Sequence, residues 1–154
     1  MGCRWQCVEL ARRYLYITRR VTFGSVGNAY EIFGMKAATR VADNAALPLR
    51  SISNGSPGNG LPPISSMMIW AAGDAVGSAG HVAVVVGVTQ THVDIVEQNW
   101  DFSRWPAGQD YSRRLRLTVE GEEQGGTAGS GSTTVTVHET LPGAQILGWV
   151  TLDD

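Results

Sequence analysis

Two cysteines stand four residues apart in the opening stretch MGCRWQCVELARR, at positions 3 and 7. A cysteine attacks as its thiolate, and thiolates form where a helix N-terminus or an imidazolium supplies positive potential. Cys7 lies at the amino end of QCVELARRYLYI, in which Cys7, Leu10, Ala11, Tyr14 and Leu15 share one face at helical spacing. The pattern predicts a helix from about Gln6 to Ile17 that carries this thiol at its start. Cys3 lies upstream of that helix, with nothing beside it to activate it. A base must come from elsewhere in the chain. Of the three histidines, His81 opens HVAVVVGV, which is followed closely by HVDIVEQN.

Those two runs read as strands joined through Thr89, Gln90 and Thr91, a length suited to a hairpin. With Val88 set against His92, His81 comes opposite Asn99, Glu97 becomes its diagonal neighbour, and Gln98 points away. A carboxylate or carboxamide on one ring nitrogen fixes the tautomer and frees the other nitrogen for proton transfer. Cysteine, histidine and glutamate in that arrangement would do papain-like nucleophilic catalysis. Each residue also has a plain structural reading. A cysteine on an apolar helix face is more often core, and a histidine at a strand end is more often a hydrogen-bonded structural group. Glu97 and Asn99 would then solvate a hairpin end. On composition and spacing alone the structural reading is the favoured one.

The CxxxC pair with scattered histidines lacks zinc-site spacing, so no metal is expected. His92 and His138 read as surface or strand residues, and Trp70 and Trp149 as core. Trp100 and Trp105, in NWDFSRWP, either wall a groove or pack inward.

The elements that must position these groups change character along the chain. A second short helix is predicted in SVGNAYEIFG, with Ser25 as N-cap and Gly34 as its stop, and helix resumes from Met35 to Ala42. Residues 51–63, SISNGSPGNGLPP, read as loop. Strands are predicted at 67–71, 81–88, 92–99, 114–120, 133–139 and 146–152, with GEEQGGTAGSGS as a flexible hairpin tip. Helices followed by an antiparallel meander make an α+β fold.

A chain of 154 residues, 43% hydrophobic, is expected to be one domain. Its net charge of −2 offers no broad attraction to nucleic acid or to anionic membrane. Arg12, Arg13, Arg19 and Arg20 cluster where they complement the carboxyl end of the first helix. No signal peptide or bilayer-spanning run is read, so reduced thiols and a cytoplasmic location are the expectation.

The stretches WQCVELARRYL, VTFGSVGNAYEIF, NGSP, GHVAVVVGV, VEQN and LGWV resemble the cysteine, histidine-dependent amidohydrolase/peptidase (CHAP) family. Within it, the sequence is most similar to the amidase domains of glutathionylspermidine and trypanothione synthetase-amidases. The likeness runs in one order from Trp5 to about Val150, and WQCVE, GHVA and EQN together reverse the odds given above.

The resemblance implies a papain-like fold with N-terminal helices packed on an antiparallel sheet, nucleophile Cys7, base His81 and third member Glu97. Substrate contacts are implied at Arg12, Val26, Gly27, Asn28, Ala29 and Asn99. Arg12 would offer its fork to a carboxylate, and the 26–29 backbone amides would hold a further anionic or carbonyl group. An oxyanion hole would use the Cys7 backbone N–H and Gln6. The implied substrate is a glutathione–polyamine conjugate, and no cofactor is implied.

On this reading residues 1–154 form a CHAP amidase domain lacking part of the family's N-terminal segment and any ATP-grasp synthetase. Two other readings stay open: a peptidoglycan amidase or endopeptidase with the same machinery, and a non-catalytic binding remnant.

Overall fold

The computed structural model of the protein describes residues 6–101, 103–121 and 133–153. Cys3 and residues 122–132 of the expected hairpin tip lie outside that set. One α-helix, α1 (Cys7–Arg19), is followed by a 3₁₀ helix (Ala29–Gly34). Among the described residues nine strands accompany them: β1 (Val21–Thr22), β2 (Ala37–Arg40), β3 (Ala46–Ser53), β4 (Met67–Trp70), β5 (His81–Val88), β6 (His92–Val96), β7 (Arg113–Gly121), β8 (Thr133–His138) and β9 (Ile146–Leu152). All pair antiparallel, in the order β1-β2-β3-β9-β4-β5-β6-β7-β8. Strands β4 to β8 form the expected meander, while β9 returns between β3 and β4. Among the described residues no helix is long and apolar enough to cross a membrane.

The sheet curls until β8 meets the segment after β3. There Asn54 and Asn59 act as extra strand amides. Each donates Nδ2–H to a β8 carbonyl (Val137 at 2.9 Å, Val135 at 2.7 Å) and accepts that residue's N–H on Oδ1. The closed face holds one core, including Met68, Trp70, Ala83, Val85, Ile95, Leu115, Val137 and Trp149. The opposite face of β4, β5 and β9 packs against Cys7, Ala11 and Leu15 of α1 through Met67, Ile69, Val82, Val84 and Val150. Burying a side chain such as Leu15 contributes roughly 2 kcal/mol, which fixes the helix on the sheet.

Three expectations are corrected. The second helix is a short 3₁₀ turn capped at Asn28, not Ser25, though Gly34 does end it. The helix expected from Met35 to Ala42 does not form: Met35 is extended and residues 37–40 make strand β2, whose pairing with Ala46, Leu47 and Pro48 engages the backbone in the sheet instead. Strand β3 was not expected and takes the first three residues of the expected 51–63 loop.

The β5–β6 register also differs near its turn, where Val88 faces Val93 rather than His92. An irregularity between Val85 and Gly87 restores the expected alignment, and beyond it Val84 faces Val96. Glu97 follows as the ladder ends.

Candidate active site

The candidate site forms where four strands end together. Trp70 is the partner of His81 across β4–β5, and Arg113 is the partner of Ile95 across β6–β7. Strand alternation turns Trp70, His81 and Arg113 to the face that carries Met68, Ala83 and Leu115. Gly80 makes the entry to β5 possible. Its φ is +65°, and a Cβ there would stand 2.5 Å from the Trp70 carbonyl oxygen, so GHVA needs its glycine.

Cys7 is the first residue of α1, with Gln6 extended before it and without a side-chain cap. Its sulfur contacts the imidazole of His81 and the backbone amides of Val82 and Val8. Burial works to raise the thiol pKa, but the imidazole and those two N–H donors prevail and hold it below the usual thiol value.

For His81, burial works against the charged form, while Cys7 and Glu97 favour it and raise its pKa. His81 Nε2 lies 2.8 Å from Glu97 Oε2, with the two side chains only 4% and 3% exposed. Nδ1 is the ring nitrogen left for the sulfur. Thiol and imidazole thus favour each other's charged state, as an activated nucleophile needs.

Beyond Glu97 the chain of charge continues. Arg113 donates Nε–H to Glu97 Oε1 at 2.6 Å and Nη2–H to Oε2 at 3.2 Å. Its Nη1 donates to Glu139 Oε1 at 2.9 Å. Trp70 Nε1–H donates to Glu139 Oε2 at 2.6 Å. The Trp100 ring lies 4.7 Å from the His81 ring and 4.2 Å from the Arg113 guanidinium carbon. Trp100 therefore walls the site, whereas Trp105 is 46% exposed. Trp70 and Trp149 are core, as expected, although Trp70 also flanks His81.

Sequence reasoning missed Arg113, Glu139 and the place of Trp70 beside His81, while the wall reading of Trp100 was one of the two it offered. One signal was present. In RRLRL, Arg113 shares parity with Leu115 and Leu117, which places a charge on an inward face.

A groove of about 340 Å³ opens beside the thiol, lined by Gln6, Cys7, Arg12, Val26, Gly27 and Ala29 among others. These are six of the residues singled out in the sequence. Asn99, at φ +58°, donates Nδ2–H to Gln6 Oε1 at 3.2 Å. Asn28 turns its Nδ2 to Glu31 Oε1 at 2.9 Å.

Two details differ from the expected binding pattern. The Gly27 N–H already donates to Glu31 Oε2 at 2.9 Å, so a protein carboxylate occupies part of the expected 26–29 cradle. Arg12 is buried and donates Nε–H to the Phe23 carbonyl at 3.2 Å and Nη2–H to that of Gly24 at 3.0 Å. Those donors hold the backbone that leads into the groove wall. Elsewhere, His92 bonds Thr89 in its hairpin and His138 bonds Thr118 in the sheet, both remote from the thiol.

A helix-borne thiol against a sheet-borne imidazole and carboxylate, beside an open groove, agrees with the comparison to known families. The chain belongs to the CHAP domain family, whose model matches residues 1–99. It is 36% identical over 150 residues to the bifunctional glutathionylspermidine synthetase/amidase of Escherichia coli (strain K12), covering 97% of this chain and 22% of that protein. It is 32% identical over 155 residues to the glutathionylspermidine synthase of Crithidia fasciculata, covering 99% of this chain and 19% of that protein. To the trypanothione synthetase of Crithidia fasciculata it is 30% identical over 115 residues, 75% of this chain and 17% of that protein. The chain thus spans about a fifth of the length of these relatives.

Proposed function

We propose that this chain is a cysteine amidase of papain-like arrangement that hydrolyses the amide between glutathione and a polyamine, such as glutathionylspermidine or trypanothione. The observation that carries this reading is the contact of Cys7 with His81, whose far nitrogen is held by Glu97. The relatives' names supply the substrate class, and the groove beside Cys7 gives a conjugate somewhere to lie.

In the proposed reaction the Cys7 thiolate attacks the amide carbonyl carbon, and the negative charge moves to the oxygen. The Cys7 backbone N–H belongs to the first helical turn, whose amides have no intrahelical acceptor, and is assigned as a donor to that oxygen. Asn99 holds Gln6 by its Oε1, and the NH₂ end of that carboxamide is assigned as the second donor to the same oxygen. His81 gives its Nδ1 proton to the departing polyamine nitrogen as the C–N bond breaks, leaving a glutathionyl thioester on Cys7. Water then loses a proton to His81 and attacks the thioester carbon. The C–S bond breaks, glutathione leaves with a free carboxylate, and the thiolate returns.

Val26, Gly27 and Ala29 line the wall assigned to the glutathione portion, with Asn28 between them held by Glu31. Arg12 shapes that wall through its bonds to Phe23 and Gly24 as well as facing the groove.

Incubation with glutathionylspermidine, followed by mass spectrometry of glutathione and spermidine, tests the assignment. Equimolar release by the parent chain, lost in Cys7→Ala and His81→Ala, is the expected result. Release that survives both substitutions, or no release from any glutathione–polyamine conjugate, overturns it.

A further inference from the structure

The family match ends at residue 99, yet the charge chain behind the base runs on to residues 113 and 139. We propose that Arg113, braced by Glu139, is a positioning residue that locks the Glu97 carboxylate in the orientation serving His81; the proposal rests on the amidase reading of this site.

The geometry is that of a two-ended clamp. The Arg113 fork spans both Glu97 oxygens, so the carboxylate cannot rotate about its terminal bond without breaking a charge-assisted hydrogen bond. Glu97 is pinned from the backbone as well, its N–H donating to Ser112 Oγ at 2.9 Å. The far nitrogen of Arg113 is itself anchored. Glu139 accepts from it on both oxygens, at 2.9 and 3.2 Å, and also from the Leu141 N–H at 2.9 Å, the Thr140 N–H at 2.7 Å and the Trp70 indole. Burial works to raise the Glu139 pKa, but the Leu141 N–H, Arg113 and these other donors lower it, so Glu139 remains a carboxylate. Trp100 covers Arg113 and His81 together and holds the guanidinium plane.

An unsupported Glu side chain has several rotamers to lose each time it must meet the imidazole. Arg113 removes that freedom beforehand. A single point charge would not do the same, because only a planar fork fixes both oxygens.

A simple ion pair and a positioning clamp predict opposite signs for one measurement. The groups facing His81 are Cys7 and Glu97, with Arg113 and Glu139 behind them. Removing the Arg113 charge alone would favour imidazolium and raise the His81 midpoint. Losing the oriented carboxylate would lower it. The test is an NMR titration of the His81 ring in the full chain carrying Cys7→Ala, its signal assigned by loss in His81→Gln.

The clamp predicts that Arg113→Gln lowers the midpoint by about one pH unit and that Arg113→Lys lowers it less. In chains that keep Cys7, kcat for glutathionylspermidine should fall roughly 10- to 100-fold with KM little changed, a part of what a positioned acid–base pair contributes. A midpoint that stays put or rises in Arg113→Gln overturns the proposal. Should Arg113→Gln fail to fold, Arg113→Lys, which keeps the charge but loses the planar fork, is read instead. A smaller fall supports the clamp, and an unchanged or raised midpoint overturns it. A chain that cleaves no conjugate while its His81 midpoint still falls in Arg113→Gln sinks the amidase reading and leaves the clamp standing.

Discussion

Glu97 Oε2 meets His81 Nε2 at 2.8 Å, and this bond decides which ring nitrogen is left for the thiol. The two residues come from different strands, one at the start of β5 and the other just past the end of β6. The pairing of those strands brings them together at the rim of the sheet. Because Nε2 is taken, Nδ1 faces Cys7, and the helix need only set its first residue over the rim to complete the site.

The pH dependence follows from that arrangement. Burial acts to raise the Cys7 pKa, but the imidazole and two backbone amides lower it overall. His81 is raised overall by Cys7 and Glu97, against its burial. A thiolate–imidazolium pair that forms as pH rises through the lowered thiol value is lost as pH rises further through the raised imidazole value. A bell-shaped profile of kcat/KM is expected, its acid limb below the ordinary thiol range and its basic limb above the ordinary histidine value. Initial rates with glutathionylspermidine across pH check both limbs.

His81 and Glu97 differ in how much activity each should carry. His81→Ala is expected to lower kcat roughly 10²- to 10⁴-fold, since it removes the general acid and base together. Glu97→Gln keeps an acceptor for the ring but loses the charge, so a smaller loss of about 10²-fold is expected. Cys3→Ala should keep parental turnover. Steady-state kinetics on the four proteins, with the parent as reference, decide the ranking.

Much of this site is legible in the sequence because its parts are local. An apolar stripe sets Cys7 at a helix start, and two strand-like runs with a short turn bring His81 near Glu97, but the catalytic reading of all three comes from the resemblance of WQCVE, GHVA and EQN. Arg113 and Glu139 are different: Arg113 lies 16 residues from Glu97 and 26 from Glu139, and no short-range periodicity links such charges. Strand β2 was hidden for another reason. Met35, Lys36, Ala37 and Ala38 suit a helix by intrinsic preference, and pairing with β3 overrides it. In β3 itself, Pro48 disguises the strand. The proline is tolerated because β2 pairs only as far as Pro48, after which β9 takes over as partner.

Gly80 should be intolerant of any side chain. Gly80→Ala combines a left-handed backbone with a Cβ driven toward the Trp70 carbonyl, in the residue just before the base. A loss of at least about 2 kcal/mol is expected. For a chain of this size that lowers Tm by roughly 4–8 °C. Differential scanning calorimetry measures the shift, and turnover at low temperature should fall with it because His81 is displaced.

The asparagine seam offers a test of the fold that leaves the site alone. Asn54→Ala and Asn59→Ala each remove two hydrogen bonds to β8 and leave its amide and carbonyl without those partners. Each is expected to cost about 1–3 kcal/mol in urea unfolding, with kcat unchanged in the protein that remains folded. Parallel unfolding curves and rate measurements test both halves of that statement.

The central claim is that Cys7 is held as a thiolate by His81. Iodoacetamide labelling against pH, with the modified residue assigned by mass spectrometry, tests it most directly. Cys7 should react below the ordinary thiol range in the parent chain, and His81→Gln should move its onset upward. If Cys7 reacts only in the ordinary thiol range, or with the same pH profile whether or not His81 is present, the account is contradicted.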